Sequence, residues 1–278
     1  MKKIFFASIG LLALATMQQA NAADLARKAP ILKAPPPPIW SWTGFYIGAN
    51  VGYSWGRSRT DLSVFNNTTG ALLFASSSRF DLNGAIGGGQ IGYNWQSANW
   101  VWGIEADIQA SGQDGHTLFI CPGLVCLPGN TAVLPGTAGV SLSIAQKLEW
   151  FGTVRARLGW LVTPTVLAYV TGGLAYGGVK TTGLINSFNA GAGAVSAGFS
   201  GSDTNAGGTI GGGLEAHLSG NWTGKIEYLY IDLGRFTTGG FNTLSFPPLR
   251  VAVTSRVTDN IIRVGLNYRW DQAIIARF

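Results

Sequence analysis

The chain has 278 residues, of which only 12% are charged and 40 are glycine, and its formal net charge at pH 7 is +6. The positive charge is not gathered into a long Lys/Arg cluster, so it does not indicate a nucleic-acid partner. Beyond the N-terminal region no segment holds 18 uninterrupted apolar residues. This excludes a transmembrane helix formed by a continuous apolar run.

The first 22 residues have the layout of a secretory signal peptide. Two lysines precede the apolar run IFFASIGLLALAT, and the tripeptide Ala-Asn-Ala ends at Ala22. An uncleaved anchor is the alternative, but the apolar run is short for a membrane span. A Pro-rich leader over 23–42 follows and favours an extended polyproline conformation. Loss of the two lysines would leave a formal charge of +4. We expect this positive charge to attract the protein to anionic lipid headgroups.

The rest of the chain repeats one pattern, an alternation of apolar and polar residues in blocks of roughly ten residues, separated by turn-rich segments. This alternation is the signature of strands in an outer-membrane barrel. The predicted strands cover residues 43–56, 82–96, 99–112, 145–162, 165–179, 206–219, 221–234 and 258–270.

The fourth block, WFGTVRARLGW, places Arg155 and Arg157 on one parity and apolar side chains on the other. Successive side chains of a strand point to opposite faces, so the arginines share the face that lipid does not touch. An arginine turned towards lipid at the midplane would cost about 2–4 kcal/mol. Further charged residues lie on the same parity of their strands. The predicted interior ion-pair layer is Glu105, Asp107, Arg155, Arg157, Glu215, Lys225, Glu227 and Arg263.

Short and long connections alternate strictly along the chain. The short turns are expected at 97–98, at 163–164 and near Gly220. The long loops are expected at 57–81, 113–144, 180–205 and 235–257. Outer-membrane barrels combine short periplasmic turns with long external loops, whereas a soluble β-sandwich predicts no such alternation. We therefore predict an all-β fold, an eight-stranded antiparallel up-and-down transmembrane β-barrel over 43–270. Both termini are then periplasmic, and a C-terminal tail occupies 271–278.

Three segments carry a family resemblance: the leader start AADLARKAP, the first strand WTGFYIGANVGYSWG and the last strand IIRVGLNYRW. Together they resemble the small surface-antigen barrels of alphaproteobacteria, often called porin-family or opacity-type proteins. The resemblance covers essentially the whole mature chain. It implies an eight-stranded outer-membrane barrel with a structural or surface role and, in some members, a proposed pore or haem-binding activity. Family members end on an aromatic residue of the last strand, which Tyr268 and Trp270 match; here DQAIIARF follows, and Trp270 fits the alternation better than Phe278 as the assembly signal.

Other motifs have plainer explanations. The glycines of GGGQIG at 87–92 match a dinucleotide fingerprint, but that fingerprint needs a following helix, so close packing in a small barrel is favoured. Cys121 and Cys126, the only cysteines, lie in an exported chain; a local disulfide is expected, with free thiols as the alternative. Two cysteines and the distant His116 and His217 form no metal constellation, and no cofactor is expected.

Eight strands leave an interior just wide enough to be filled by side chains. We therefore expect a structural or surface barrel with a largely plugged lumen; a small diffusion porin and a haem-binding surface protein that uses His116 in a loop are the alternatives. Glu215 and His217 share one inward face and could pair a base with its orienter, but salt bridges account for them, so no enzyme is predicted. The expected partners are outer-membrane lipid and lipopolysaccharide, the assembly machinery, and an external ligand or host surface.

Overall fold

A computed structural model of the chain describes residues 40–66, 68–122, 137–189, 193–243 and 249–271. These residues form eight strands: β1 (Gly44–Asn66), β2 (Leu72–Ser97), β3 (Trp100–Pro122), β4 (Thr137–Thr163), β5 (Val166–Asn189), β6 (Gly193–Ser219), β7 (Trp222–Thr243) and β8 (Leu249–Asp271). Each strand pairs antiparallel with its sequence neighbours, and β8 pairs with β1. The predicted eight-stranded up-and-down barrel is confirmed.

Two regions of the predicted domain layout fall outside this description. The signal peptide at 1–22 and the leader up to residue 39 lie outside the described residues, as does the tail after Asp271. Their assignments stay predictions. No helix among the described residues is long and apolar enough to cross a membrane.

Closure of the barrel gives every strand a hydrogen-bonded partner on both sides. Tyr53 in the middle of β1, for example, lies opposite Ala85 of β2 on one side and Ile262 of β8 on the other. A sheet in hydrocarbon has no water to pair with an open edge, so the first and last strands must meet. The sheet is therefore compatible with a lipid environment over its whole circumference.

Three connections are two-residue turns, and they lie where short turns were predicted, at 98–99, 164–165 and 220–221. Two of these tight hairpins contain a residue with positive φ, as two-residue hairpin turns commonly do. Gly220 supplies it with φ +54°, whereas Ala98 adopts φ 51° although it carries a Cβ. We call this end of the barrel the short-turn end and the opposite end the long-strand end.

The bounds predicted for the four long loops are wrong, because most of the residues within them are strand. β1 continues to Asn66 and β2 begins at Leu72, so the first connection is only 67–71 instead of 57–81. The predicted loops at 113–144, 180–205 and 235–257 are likewise largely parts of β3 to β8. The residues between those strands, 123–136, 190–192 and 244–248, lie outside the described part of the chain.

The parts of the strands near the long-strand end were not predicted, because the alternation of apolar and polar side chains inverts there. On β1 the outward side chains are apolar up to Trp55, but the next outward ones are Arg57, Arg59 and Asp61, while the inward Leu62 is 2% exposed. An apolar cluster fills the interior at this level. Its members are Leu62, Phe119, Leu142, Ile144 and Val253, with Phe199 against them. On β1, therefore, the outward side chains become charged in this half while the interior is apolar.

The outward apolar band has the height of a bilayer core. It runs over eleven residues on β1, Phe45–Trp55, and over nine on β8, Ile262–Trp270. A tilted transmembrane strand needs about 9–11 residues. Aromatic rings gather at its short-turn end, where Trp95 stacks on Trp102 with ring centroids 4.7 Å apart. Such a ring of aromatic side chains is typical of the membrane–water interface of barrels.

Candidate functional site

The interior of the barrel at the level of the apolar band holds a layer of charged side chains that the strand register brings together. Glu105 on β3 lies directly opposite Arg155 on β4. Glu227 on β7 lies opposite Arg263 on β8 in the same way, and Glu215 lies opposite Lys225. Because side chains alternate between faces, one register choice places all these acids and bases inside.

Glu105 is the centre of this layer. Its carboxylate lies within ion-pair distance of four cationic side chains, those of Arg155, Arg157, Lys225 and Arg263. Lys225 Nζ lies 2.9 Å from Oε1, Arg157 Nη1 lies 3.3 Å from Oε2, and the Tyr46 hydroxyl donates to Oε2 over 2.7 Å. The glutamate side chain has no exposed surface. A carboxylate buried in this way is stable only because its charge is compensated on several sides.

Two arginines connect Glu105 to two other acids of the layer, Asp107 and Glu227. Arg263 donates to Asp107 over 2.9 Å and from Nε to Glu227 over 2.7 Å. Arg155 donates to Glu227 over 2.9 Å and to Asp107 over 3.0 Å. The layer contains four acids and four bases, so its formal charge is zero. The ion pairs between these guanidinium and carboxylate groups join β3, β4, β7 and β8 across the interior.

Glu215 completes the layer towards the short-turn end. It accepts hydrogen bonds from Arg157 Nη2 over 2.7 Å, from Thr223 over 2.6 Å and from Asn267 over 2.9 Å. Both of its carboxylate oxygens therefore accept hydrogen bonds, one of them from a cation. The structure places all eight residues of the predicted layer inside the barrel and brings their charges into contact.

His217 does not join Glu215 in an acid–base pair. Its Nε2 lies 2.9 Å from the carbonyl oxygen of Gly220, and its ring lies 3.8 Å from the ring of Trp40. Among the described residues no hydrogen bond or ion pair connects His217 with Glu215, so the arrangement considered for catalysis is not assembled there.

The mouth at the short-turn end is closed by Trp42, which the sequence analysis placed at the end of the leader. Its side chain has no exposed surface. Its Nε1 donates to the carbonyl oxygen of Pro164 over 3.1 Å, and its backbone N–H donates to Gln96 over 2.7 Å. Arg269 donates to the Trp42 carbonyl and lies 5.3 Å from the ring centroid. A tryptophan-rich WSW directly before the first strand was the available signal.

Beyond the charged layer, towards the long-strand end, apolar and polar side chains fill the interior in further layers. The adjoining apolar cluster comprises Leu82, Ile86, Leu148, Phe151, Ala175, Val179, Leu229, Ile231, Leu233, Phe236, Val257 and Ile261. A polar layer includes Gln113, which donates to Asp259 over 2.9 Å and to Ser54 over 2.8 Å. It continues with Gln146, which accepts from Ser58 over 2.6 Å. The interior is thus a packed, layered core along much of the barrel.

The remaining predicted residues lie apart from this interior. The side chain of Cys121 and all of Cys126 lie outside the described residues, so their disulfide stays a prediction. His116 faces outwards on β3, which corrects its predicted place in a loop. Tyr268 and Trp270 lie near the end of β8 with ring centroids 5.3 Å apart, and their role as assembly signal stays a prediction. Within the described residues there is no group of three or more His, Cys, Asp or Glu that could hold a metal ion.

The GGGQIG segment lies within β2. The lack of space around its two inward glycines explains why glycine stands at these positions. A Cβ on Gly88 would lie 2.0 Å from the carbonyl oxygen of Ile108, and one on Gly92 would lie 2.4 Å from the Tyr46 ring. The motif therefore permits close strand packing.

A closed antiparallel barrel with an outward apolar band, an aromatic interface and a charged interior is a transmembrane β-barrel of the outer-membrane class. The chain belongs to the outer membrane protein beta-barrel domain family, whose sequence profile matches residues 6–269.

Relatives place the chain among outer-membrane surface antigens of Gram-negative bacteria. It is 36% identical over 271 residues to the 31 kDa outer-membrane immunogenic protein of Brucella melitensis biotype 1, covering 97% of this chain and 100% of the relative. It is 31% identical over 202 residues to the 22 kDa outer membrane protein of Rhizobium leguminosarum bv. viciae, covering 72% and 68%. Among solved structures it is similar to the outer membrane protease OmpT of Escherichia coli, with 10% identity, 81% and 97% coverage and a TM-score of 0.46.

Proposed function

We propose that this protein is a structural and surface-exposed barrel of the outer membrane whose interior is closed to solutes. The observation that carries the proposal is the charged layer around Glu105. Its ion-paired side chains are at most 3% exposed, whereas the walls of a diffusion channel are lined by water. The strands that extend beyond the apolar band would then present the protein to the outside and offer a surface for an external ligand or host partner.

The energetics of the layer support this interpretation. Removing charges from water costs several kcal/mol per ion, which only good geometry and further hydrogen bonds offset. Here each acid meets at least one cation at 3.0 Å or less. The charged layer depends on the exclusion of water, and this favours an interior that is filled by side chains.

A small diffusion porin is the alternative suggested by the family resemblance. Eight strands leave a narrow interior, while aqueous channels belong to barrels of 16–18 strands. A solute would also have to displace Trp42 at the short-turn mouth and the apolar side chains beyond the charged layer. These obstacles favour the closed barrel.

Haem binding, the remaining alternative, would depend on His116, whose side chain is exposed on the outer face of β3. Titration of the purified protein with haem, beside a His116→Ala variant, tests it. An absorbance change that the variant abolishes would support haem binding, and unchanged spectra would remove it.

Conductance in planar bilayers tests the closed interior. We expect the wild-type protein to conduct ions weakly or not at all. The double variant Arg155→Ala and Arg157→Ala should raise conductance, lower thermal stability, or both, since it opens space and leaves acids unpaired. Val154→Ala, an outward change on the same strand, is the matched control and should leave conductance unchanged. Large, steady conductance by wild-type monomers that also pass small sugars would contradict the proposal.

A further inference from the structure

Four arginines form a continuous row on the outer face of the barrel. Arg59 on β1 lies directly opposite Arg79 on β2 and, on its other side, opposite Arg256 on β8. Arg256 in turn lies opposite Arg235 on β7. All four side chains are exposed on the outside. The row thus crosses four adjacent strands with one arginine on each.

Nothing in the barrel itself explains this row. Like charges directly opposite one another destabilise a sheet. Arg256 has an acidic partner, Asp232, whose carboxylate lies 2.5 Å from its Nη2; that hydrogen bond lowers the pKa of Asp232. Within the described part of the chain, Arg59, Arg79 and Arg235 have no acidic group within 4.0 Å. Three cations are therefore available to an anionic ligand.

The row lies just beyond the lipid-facing band. Trp55 is the last large apolar residue on the outer face of β1, and Arg59 follows four residues later. At about 3.3 Å per residue and a strand tilt of about 40°, Arg59 lies about 10 Å above Trp55 along the membrane normal. That is the depth of the polar headgroup region.

A groove connects one end of the row with the lipid-facing surface. It has a volume of about 590 Å³. Its lining residues include Gly207, Gly208, Ile210, Asp232, Arg235 and Arg256. Gly208 leaves it open, since a Cβ there would meet no atom within 4 Å. The groove is apolar at Ile210, and its other end carries Arg235 beside the Arg256–Asp232 ion pair.

We propose that the arginine row and this groove bind a phosphorylated glycolipid of the lipopolysaccharide type from the outer leaflet. The phosphates lie on the arginines, which recognise such groups by charge-assisted hydrogen bonds, and one acyl chain lies along the glycine-lined groove. A soluble polyanion would use the arginines but leave the apolar end empty, so the lipid fits the whole surface. The inference rests on the outward orientation given under the proposed function and is independent of a closed interior.

Binding of diphosphorylated lipid A to the full mature protein in detergent micelles, followed by native mass spectrometry, tests the inference. The triple variant Arg59→Gln, Arg79→Gln and Arg235→Gln breaks no ion pair among the described residues and should bind lipid A at least tenfold more weakly. Lys147→Gln with Lys180→Gln is the matched control, because these exposed lysines lie opposite each other on β4 and β5. We expect that control to bind like wild type.

Two further arms distinguish the lipid from other anions. Gly208→Leu should fill the groove and weaken lipid A binding but not heparin binding, while Gly87→Leu, elsewhere on the lipid face, should change neither. Wild type should also prefer diphosphorylated lipid A to the same lipid without phosphates. Equal binding of lipid A by wild type and the triple variant, or loss of heparin binding alone, would overturn the inference. Heat-modifiable gel mobility of each variant shows that it is folded, and bilayer conductance reports separately on the closed interior.

Discussion

The part played by a charged residue in this barrel depends on the parity of its position. Glu105 and Glu149 belong to neighbouring strands, but Glu105 faces the interior and is 1% exposed, whereas Glu149 is exposed on the outside. The first interacts with four cations in a dry layer, and the second is solvated. The parity argument from the sequence selected the eight charges of the layer, because the cost of facing lipid leaves one orientation, but it left out the buried Asp259 and Arg269.

Glu105→Gln should destabilise the barrel strongly. The change leaves Arg155, Arg157, Lys225 and Arg263 with one carboxylate fewer, and breaking a buried pair costs about 3–5 kcal/mol. We expect the unfolding midpoint in urea, followed by tryptophan fluorescence in detergent, to fall clearly. Glu149→Gln is the control and should unfold like wild type. Equal midpoints for the two variants would show that the layer does not contribute to stability.

Adjacent glycines of β2 should respond differently to the same methyl group. Gly88→Ala places its Cβ 2.0 Å from the Ile108 carbonyl oxygen, so β2 and β3 must move apart, whereas the nearest atom to a Cβ on Gly87 is 3.7 Å away. Gly88→Ala should therefore reduce the folded fraction after refolding into detergent, measured as the heat-modifiable gel band. Gly87→Ala should refold like wild type; refolding of both variants at wild-type yield would contradict the packing explanation.

At the scale of the strand, each element is built from two patterns. Its half towards the short-turn end carries apolar side chains outwards and is recognisable from the sequence as a membrane strand. In its half towards the long-strand end the pattern inverts, as where Ile144 is buried and Ala145 is exposed on β4. Sequence reasoning ended every strand at the inversion, because polar, glycine-rich segments also have the composition of loops.

Ile144→Asn should open the extended part of the barrel. Its side chain has no exposed surface and belongs to the apolar cluster of the long-strand end, and burying an amide without partners is costly. Limited trypsin digestion of the folded protein should then cut at the arginines of β1 and β2, which wild type protects through strand pairing. Ala145→Asn on the outer face is the control. Rapid cleavage of the wild-type protein between residues 57 and 66 would show that these residues are not stable strand. It would support the loop predicted there from the sequence.

At the scale of the whole molecule, strand number and turn positions followed from the alternation of the sequence, as did the eight charges of the predicted layer. The way in which the interior is closed did not. Trp42 precedes the first strand, and its partners Gln96, Pro164 and Arg269 are distant in sequence, so only the closed register brings them together. The arginine row was hidden for the same reason, since each arginine belongs to a different strand and their adjacency is a property of pairing.

Assembly in the membrane tests the whole arrangement, because it depends on the outer face of all eight strands. Replacing the outward Val154 and Ala156 by arginine places two charges in the apolar band, at about 2–4 kcal/mol each near the midplane. Replacing the outward Ser143 and Ala145 of the same strand by arginine places the same charges beyond the band, in water. Refolding into lipid vesicles, measured by heat-modifiable mobility and resistance to protease, should fail or slow markedly for the first variant and proceed normally for the second. Equal insertion of both variants would show that the band from Phe45 to Trp55 on β1 and its equivalents do not face lipid.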